Sequence, residues 1–204
     1  MKKLTTISLV LLLAVLFCAP AAIAGTSLKL DKETYLKAGT KLVYAIERDG
    51  KKYDLNIQIL GLTPDVRFRW DMTAPMNKNG IMTLMPDARE SAGGIITNLG
   101  EGMVNLHDLT AIWLSNTLMD KIKNAGGILM TVDGNALACK VMHDTPSPLQ
   151  VLIDGKDAQL STITIHNGMT DATKKTITVL DSKDFPIIVQ MNMGWTMTLK
   201  SITN

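Results

Sequence analysis

Beyond residue 24 the chain holds a single cysteine, Cys139, which excludes an intramolecular disulfide. It has no surplus of charge either. Of its 21 lysines and arginines, Lys2 and Lys3 fall in the leader, so the rest of the chain balances its 19 acidic residues. Nothing therefore draws it as a whole to nucleic acid or to an anionic membrane. After the leader, no segment approaches the ~18 consecutive apolar residues of a spanning helix. G-x-S-x-G, S-x-x-K, H-E-x-x-H, paired C-x-x-C, Walker and EF-hand patterns are all missing. The acidic side chains are scattered over solvent-facing positions, so no carboxylate pair stands out for acid–base work. These patterns assign no catalytic residue, no resident metal and no cofactor, and the expectation is a protein that is not an enzyme.

The chain opens with an export signal. Lys2 and Lys3 precede an apolar run over residues 7–17, and Ala22-Ile23-Ala24 fits the small-x-small cleavage rule. Cleavage after Ala24 leaves about 180 residues (25–204), enough for one domain with its own core. The expected location is the periplasm, with no transmembrane span once the signal is removed. Cys18 would be the acylated residue of a lipoprotein, but Phe17 is bulky where such sites need a small residue. A lone thiol in an oxidising compartment is expected to be buried. In ALACKVMH, Leu137, Cys139 and Val141 alternate onto one strand face. His143 lies ~13 Å further along such a strand, too far to activate the thiol.

The first half of the remaining chain alternates with period two. Leu42, Tyr44 and Ile46 share a face, Asp49-Gly50 marks a hairpin, and Tyr53, Leu55, Ile57 and Ile59 continue on the return. Val66, Phe68, Trp70 and Met72 alternate with Arg67, Arg69 and Asp71, and a further strand is expected over residues 80–85. This is antiparallel sheet with one face in a core. The pattern changes at Pro86. Ala88, Ala92, Ile95, Ile96 and Leu99 stand near helical spacing, although Gly93-Gly94 weakens that helix. A second helix has Ser115 or Asn116 as its cap, Leu118, Met119 and Ile122 as its buried stripe, and Gly126-Gly127 as its stop. Residues 106–114 could extend it backwards. From Ile128 strands return, with Asp133-Gly134 and Asp154-Gly155 as turns and strands over 161–165, 176–180 and 186–202. The predicted fold is α+β, mostly β: a curved antiparallel sheet or flattened barrel with a helical insert at about residues 86–126.

The stretch VQMNMGWTMTLK raises a separate question. Counting by twos gives Val189, Met191, Met193, Trp195, Met197 and Leu199 on one face, which predicts one long half-buried strand with a bend at Gly194. A two-residue hairpin at Met193-Gly194 would mix polar and apolar residues on each face. The rival reading is a Cu(I) site built from Met191, Met193 and Met197, because thioether sulfur suits a soft cation. No histidine lies in the stretch, and methionines recur at ordinary core positions such as Met72, Met85, Met119 and Met130. The core reading is preferred. His107-Asp108 and His143-Asp144 are read as loop or helix-start residues, with Asp108 an N-cap candidate.

Gly39-Thr40-Lys41-Leu42-Val43-Tyr44, Phe68-Arg69-Trp70-Asp71-Met72-Thr73, Trp113-Leu114-Ser115 and Asp184-Phe185-Pro186-Ile187-Ile188-Val189 occur in that order. Together they resemble uncharacterised exported proteins of Gram-negative bacteria, known as domains of unknown function. The architecture is similar to the lipoprotein-carrier half-barrels of the periplasm. The resemblance brings no catalytic residues with it. The expectation is a non-enzymatic protein that binds an apolar ligand, a lipid or acyl chain, or serves envelope maintenance beside another envelope protein. A Cu(I) protein and an adaptor using an exposed sheet edge are the alternatives.

Overall fold

A computed structural model describes residues 27–28, 36–142, 148–168 and 174–204. The expected export signal, Cys18 and His143 lie outside the described residues. Strand β1 (Ser27–Leu28) is followed by β2 (Lys41–Arg48), β3 (Lys51–Gly61), β4 (Val66–Met72) and β5 (Asn79–Leu84). From β2 onward each strand of this group pairs antiparallel with the next. Helix α1 (Pro86–Ser91), β6 (Gly94–Ile95), β7 (Gly102–Leu106) and α2 (Asn116–Ala125) make up the insert. Then come β8 (Gly127–Val132), β9 (Asn135–Val141), β10 (Leu149–Ile153), β11 (Lys156–Leu160), β12 (Thr162–His166), β13 (Thr176–Leu180), β14 (Ile188–Asn192) and β15 (Thr196–Thr203).

The alternation predicted for the first strands is the alternation found. Leu42, Tyr44, Leu55, Ile57, Ile59, Val66, Phe68 and Trp70 are all buried on one face. Their polar neighbours point to solvent, and burying that one face fixes the register. The Asx-Gly turns follow from backbone sterics. Asp49 and Gly50 both have positive φ (52° and 71°), as do Asp133 and Gly134 (50° and 79°) and Asp154 and Gly155 (49° and 76°). That is the two-residue turn whose twist matches paired strands, and aspartate and glycine are residues that tolerate it. On β9, Leu137 and Val141 are half-buried and Cys139 is buried on their shared face.

The strands join into one open, mixed sheet, ordered β6-β8-β9-β12-β13-β14-β15-β2-β3-β4-β5-β7, with β10, β11 and β1 branching from β15. The branch arises because β15 pairs with β14 near its start and with β10 at Ser201 and Ile202. The sheet's two ends, β6 and β7, do not pair with each other. They are tied instead by residues 110–115, an irregular run that is buried throughout. Thr110 bridges Ile95 of β6, and Trp113 bridges Ile187 just before β14. Several backbone polar groups of this buried run are paired, as burial favours. Thr110 N–H donates to Gly94 (3.0 Å) and Leu114 N–H to Pro186 (2.9 Å), while the carbonyls of Thr110 and Ile112 accept from Ile96 and Ile188 (both 2.8 Å).

Three expectations are corrected. The first helix ends at Ser91 rather than reaching Leu99, because Ala92 turns extended (ψ 130°) and Gly94 enters the sheet as β6. Residues 106–114 do not extend α2 backwards, and Asp108 caps nothing. Ser115 is the cap, accepting from Leu118 N–H (3.2 Å) while its hydroxyl donates to Ala92 (2.7 Å). The predicted strand over 186–202 is a hairpin, β14–β15, with Gly194 at φ 89° in its turn. Its loop has three residues, 193–195, and Met191 stands opposite Met197. An odd-length loop pairs residues of equal parity, so both arms keep the same apolar face. A loop of even length, such as the two-residue one, would have mixed the faces.

Gly94 is required by contact. A Cβ there would sit 2.0 Å from Thr131 Oγ1 and 2.5 Å from its carbonyl, whereas one at Gly93 would meet nothing within 4 Å. Gly94→Ala should lower stability by about 2–4 kcal/mol through backbone displacement in β6. Gly93→Ala should be nearly neutral, and the pair is checked by urea denaturation.

Candidate functional site

At one end of the sheet the β2–β3 hairpin, the 193–195 turn, the 96–99 loop and the β8–β9 turn come together. Beneath them lies an apolar slot walled by Leu55, Met72, Leu99, Ile112, Met191 and Met197, with Trp195 at its edge. Its free volume is about 20 Å³, room for one water molecule. Above it opens a basin of about 690 Å³ bordered by Arg48, Lys51, Tyr53, Asn98 and Asp133. Ile96 and Thr97 line both spaces, so the 96–99 loop is the partition between them.

Besides the Ile96 N–H bond to Thr110 and the buried Leu99, one side chain fastens the loop. Asp133 accepts from the Thr97 backbone N–H (2.7 Å) and from the Thr97 hydroxyl (2.5 Å). Asp133 thus forms the turn and latches the loop. The floor of the slot is strained: Ile112 has φ 52°, a conformation that is costly for a β-branched residue. It persists because hydrogen bonds on either side hold it, and such strain concentrates at ligand sites.

Arg48 lies over the Trp195 ring, 5.4 Å from its centroid, a cation–π contact at the lip of the basin. Burial pushes the Tyr53 phenol above its ordinary range, with Arg48 opposing and Asp49 reinforcing the shift. Tyr53 therefore remains a neutral O–H donor at physiological pH. A second, open basin of about 510 Å³ lies on the polar side of β2, β3 and β15. Its charges neutralise one another, Lys200 with Asp54 and Lys52 with Glu47, each at 3.3 Å.

Of the methionines named from sequence, the structure brings Met191 and Met197 together as directly opposed strand partners, both buried and both in the slot wall. Met193 sits half-buried in the turn, outside that wall. His107 Nδ1 meets Asp87 at 3.0 Å, and His166 Nδ1 accepts from Gly168 N–H at 3.0 Å. Among the described residues no three His, Cys, Asp or Glu side chains converge. Arg48, Asp133 and the 96–99 loop were missed as site residues. Asp133-Gly134 signalled only a turn, and nothing local to residues 96–99 shows what they cover. No family model, curated protein or solved structure matches the chain.

Two measurements follow. Asp133→Gly keeps a residue that adopts positive φ but removes the latch, which is worth about 1 kcal/mol for exposed hydrogen bonds. Amide exchange in residues 96–99 should speed up about five-fold, with Asp133→Asn in between. Burial also pushes the Cys139 thiol up to about 11. Its protonated, shielded state favours folding below the ordinary thiol pKa, and that contribution fades as pH rises through about 11. At pH 8, in protein made without residues 1–24, Cys139 should resist Ellman's reagent until urea unfolds the chain.

Proposed function

We propose that this is an exported, non-enzymatic binding protein that takes an apolar chain into the slot beneath the 96–99 loop. One observation carries the reading: an apolar slot and a wide basin share a loop whose Thr97 is fastened through a single carboxylate. In the closed form the slot admits a water and no more, so binding requires the Thr97–Asp133 pair to part. The slot wall suits such exchange. Met191 and Met197 are flexible thioethers that re-pack around a guest more readily than branched side chains do. The strain at Ile112 is a second support, since strained backbone clusters at ligand sites.

Trp195 is the natural reporter, because Trp70 and Trp113 are buried away from solvent while Trp195 is half-exposed at the slot. Titration with dodecanol below its solubility limit should shift Trp195 emission saturably, at one ligand per chain. Asp133→Gly should bind several-fold more tightly, because opening the loop no longer costs the latch. Failure of both proteins to bind any chain would remove this reading.

A second reading keeps Cu(I), supported by the facing thioethers of Met191 and Met197. The double variant Met191→Leu, Met197→Leu conserves volume. It should abolish Cu(I) uptake if that reading holds, and leave dodecanol binding in place if the first one does.

A further inference from the structure

We infer that the ligand's outer end is anionic: the site is built for a single-chain amphiphile whose carboxylate or phosphate head rests in the basin against Arg48 and Lys51. This rests on the chain-binding reading above and adds the head group to it.

The basis is an inventory of what the basin offers. Its two acids are Asp49 and Asp133. Both oxygens of Asp133 already accept from Thr97. Asp49 is 89% exposed and lies 3.9 Å from Arg48, a solvated pair of little strength. The remaining side chains around the basin include two cations, Arg48 and Lys51, and the neutral polar groups of Tyr53, Thr97 and Asn98. Arg48 has a planar fork suited to two oxygens of a carboxylate or phosphate. It is held by the Trp195 face rather than by a buried carboxylate. Lys51 forms no ion pair among the described residues. Tyr53 and Asn98 add an O–H and an N–H₂ donor.

The geometry orders these groups along one path. Trp195 lines the apolar slot, and Arg48, which borders the basin, lies over that ring. A ligand with an apolar tail and a charged head would meet the matching chemistry in sequence. A cationic head would meet Arg48 and Lys51 instead, and like charge at that distance costs affinity. Because Arg48 stacks on Trp195, its departure toward a head group would change the indole's surroundings, which links head-group recognition to the fluorescence signal.

The test compares dodecanoate, dodecyl phosphate, dodecanol and dodecyltrimethylammonium, each below its micellar concentration, by Trp195 emission and by native mass spectrometry of the full mature chain. The inference expects at least one anion to bind ten-fold or more tightly than dodecanol, with dodecyltrimethylammonium weakest. Which anion leads separates a carboxylate from a phosphate preference. Arg48→Gln should pull the anion-to-dodecanol affinity ratio down towards one, and Lys51→Gln should lower it partly. Raising salt should shrink the ratio as well. Equal affinity for dodecanol and both anions would overturn the inference and leave chain binding standing. An anion preference that survives both substitutions would overturn the assignment to Arg48 and Lys51. If no amphiphile binds, both readings fall together.

Discussion

The buried crossing of residues 110–115 is the constraint on which the rest of the molecule depends. A sheet with free ends β6 and β7 has two edges to satisfy and one face to cover. The crossing bridges the β6 edge and helps cover the face with one segment. It leaves β7, bridges β6 through Thr110, and reaches Ile187 through Trp113. Ala111, Ile112, Trp113 and Leu114 join the same hydrophobic cluster as the inner faces of β2, β3 and β4. A buried irregular backbone is tolerable only when its polar groups are paired. Here residues 94–96 and the 186–188 segment pair the Thr110 N–H and carbonyl, the Ile112 carbonyl and the Leu114 N–H, and Tyr44 Oη donates to the Ile188 carbonyl (3.0 Å). Trp113 also packs edge-on against Phe185, with centroids 6.1 Å apart, which fixes the crossing laterally.

The candidate site is a consequence of that crossing. Ile112 becomes the floor of the slot because Thr110 and Trp113 are pinned on either side of it, and the strained φ is where the chain absorbs the mismatch between the two bridges. The 96–99 loop becomes the roof because β6 has only two residues before the chain leaves for β7 on the far edge. Strand hairpins that end at the same height then supply Arg48, Asp133 and Trp195 around the opening. A slot so formed is small but bounded on one side by a loop instead of a strand. That difference is what separates a place for a guest from an ordinary gap in a core.

The methionine-rich stretch shows how parity decides. Every second residue from Val189 to Leu199 is apolar, and that pattern is equally consistent with one long strand and with a hairpin whose loop has an odd number of residues. Both keep Met191 and Met197 on the same face. They differ in whether the two thioethers lie far apart along a strand or opposite one another across a ladder. The hairpin makes them neighbours and moves Met193 to the turn, so the sequence pair Met191 and Met193 is not the spatial pair. Gly194, which reads as a bend in either case, adopts the positive φ of a turn.

What the sequence by itself determined is the part governed by nearest neighbours. Side-chain alternation put Leu42, Tyr44, Phe68 and Trp70 inside, Asx-Gly pairs placed three tight turns, and Ser115 with the stripe Leu118, Met119 and Ile122 placed α2. These follow from backbone sterics and from the periods of strand and helix, which act over a few residues. Only the tertiary structure decided that residues 110–115 would form a buried crossing, that the first helix would stop at Ser91 with Gly94 in the sheet, and that Asp133 would fasten Thr97. Each of these depends on a partner distant in the chain: Ile187 for Trp113, Thr131 for Gly94, Thr97 for Asp133. A contact between residues tens of positions apart leaves no period in the sequence, so it becomes visible only when the sheet brings the two ends together.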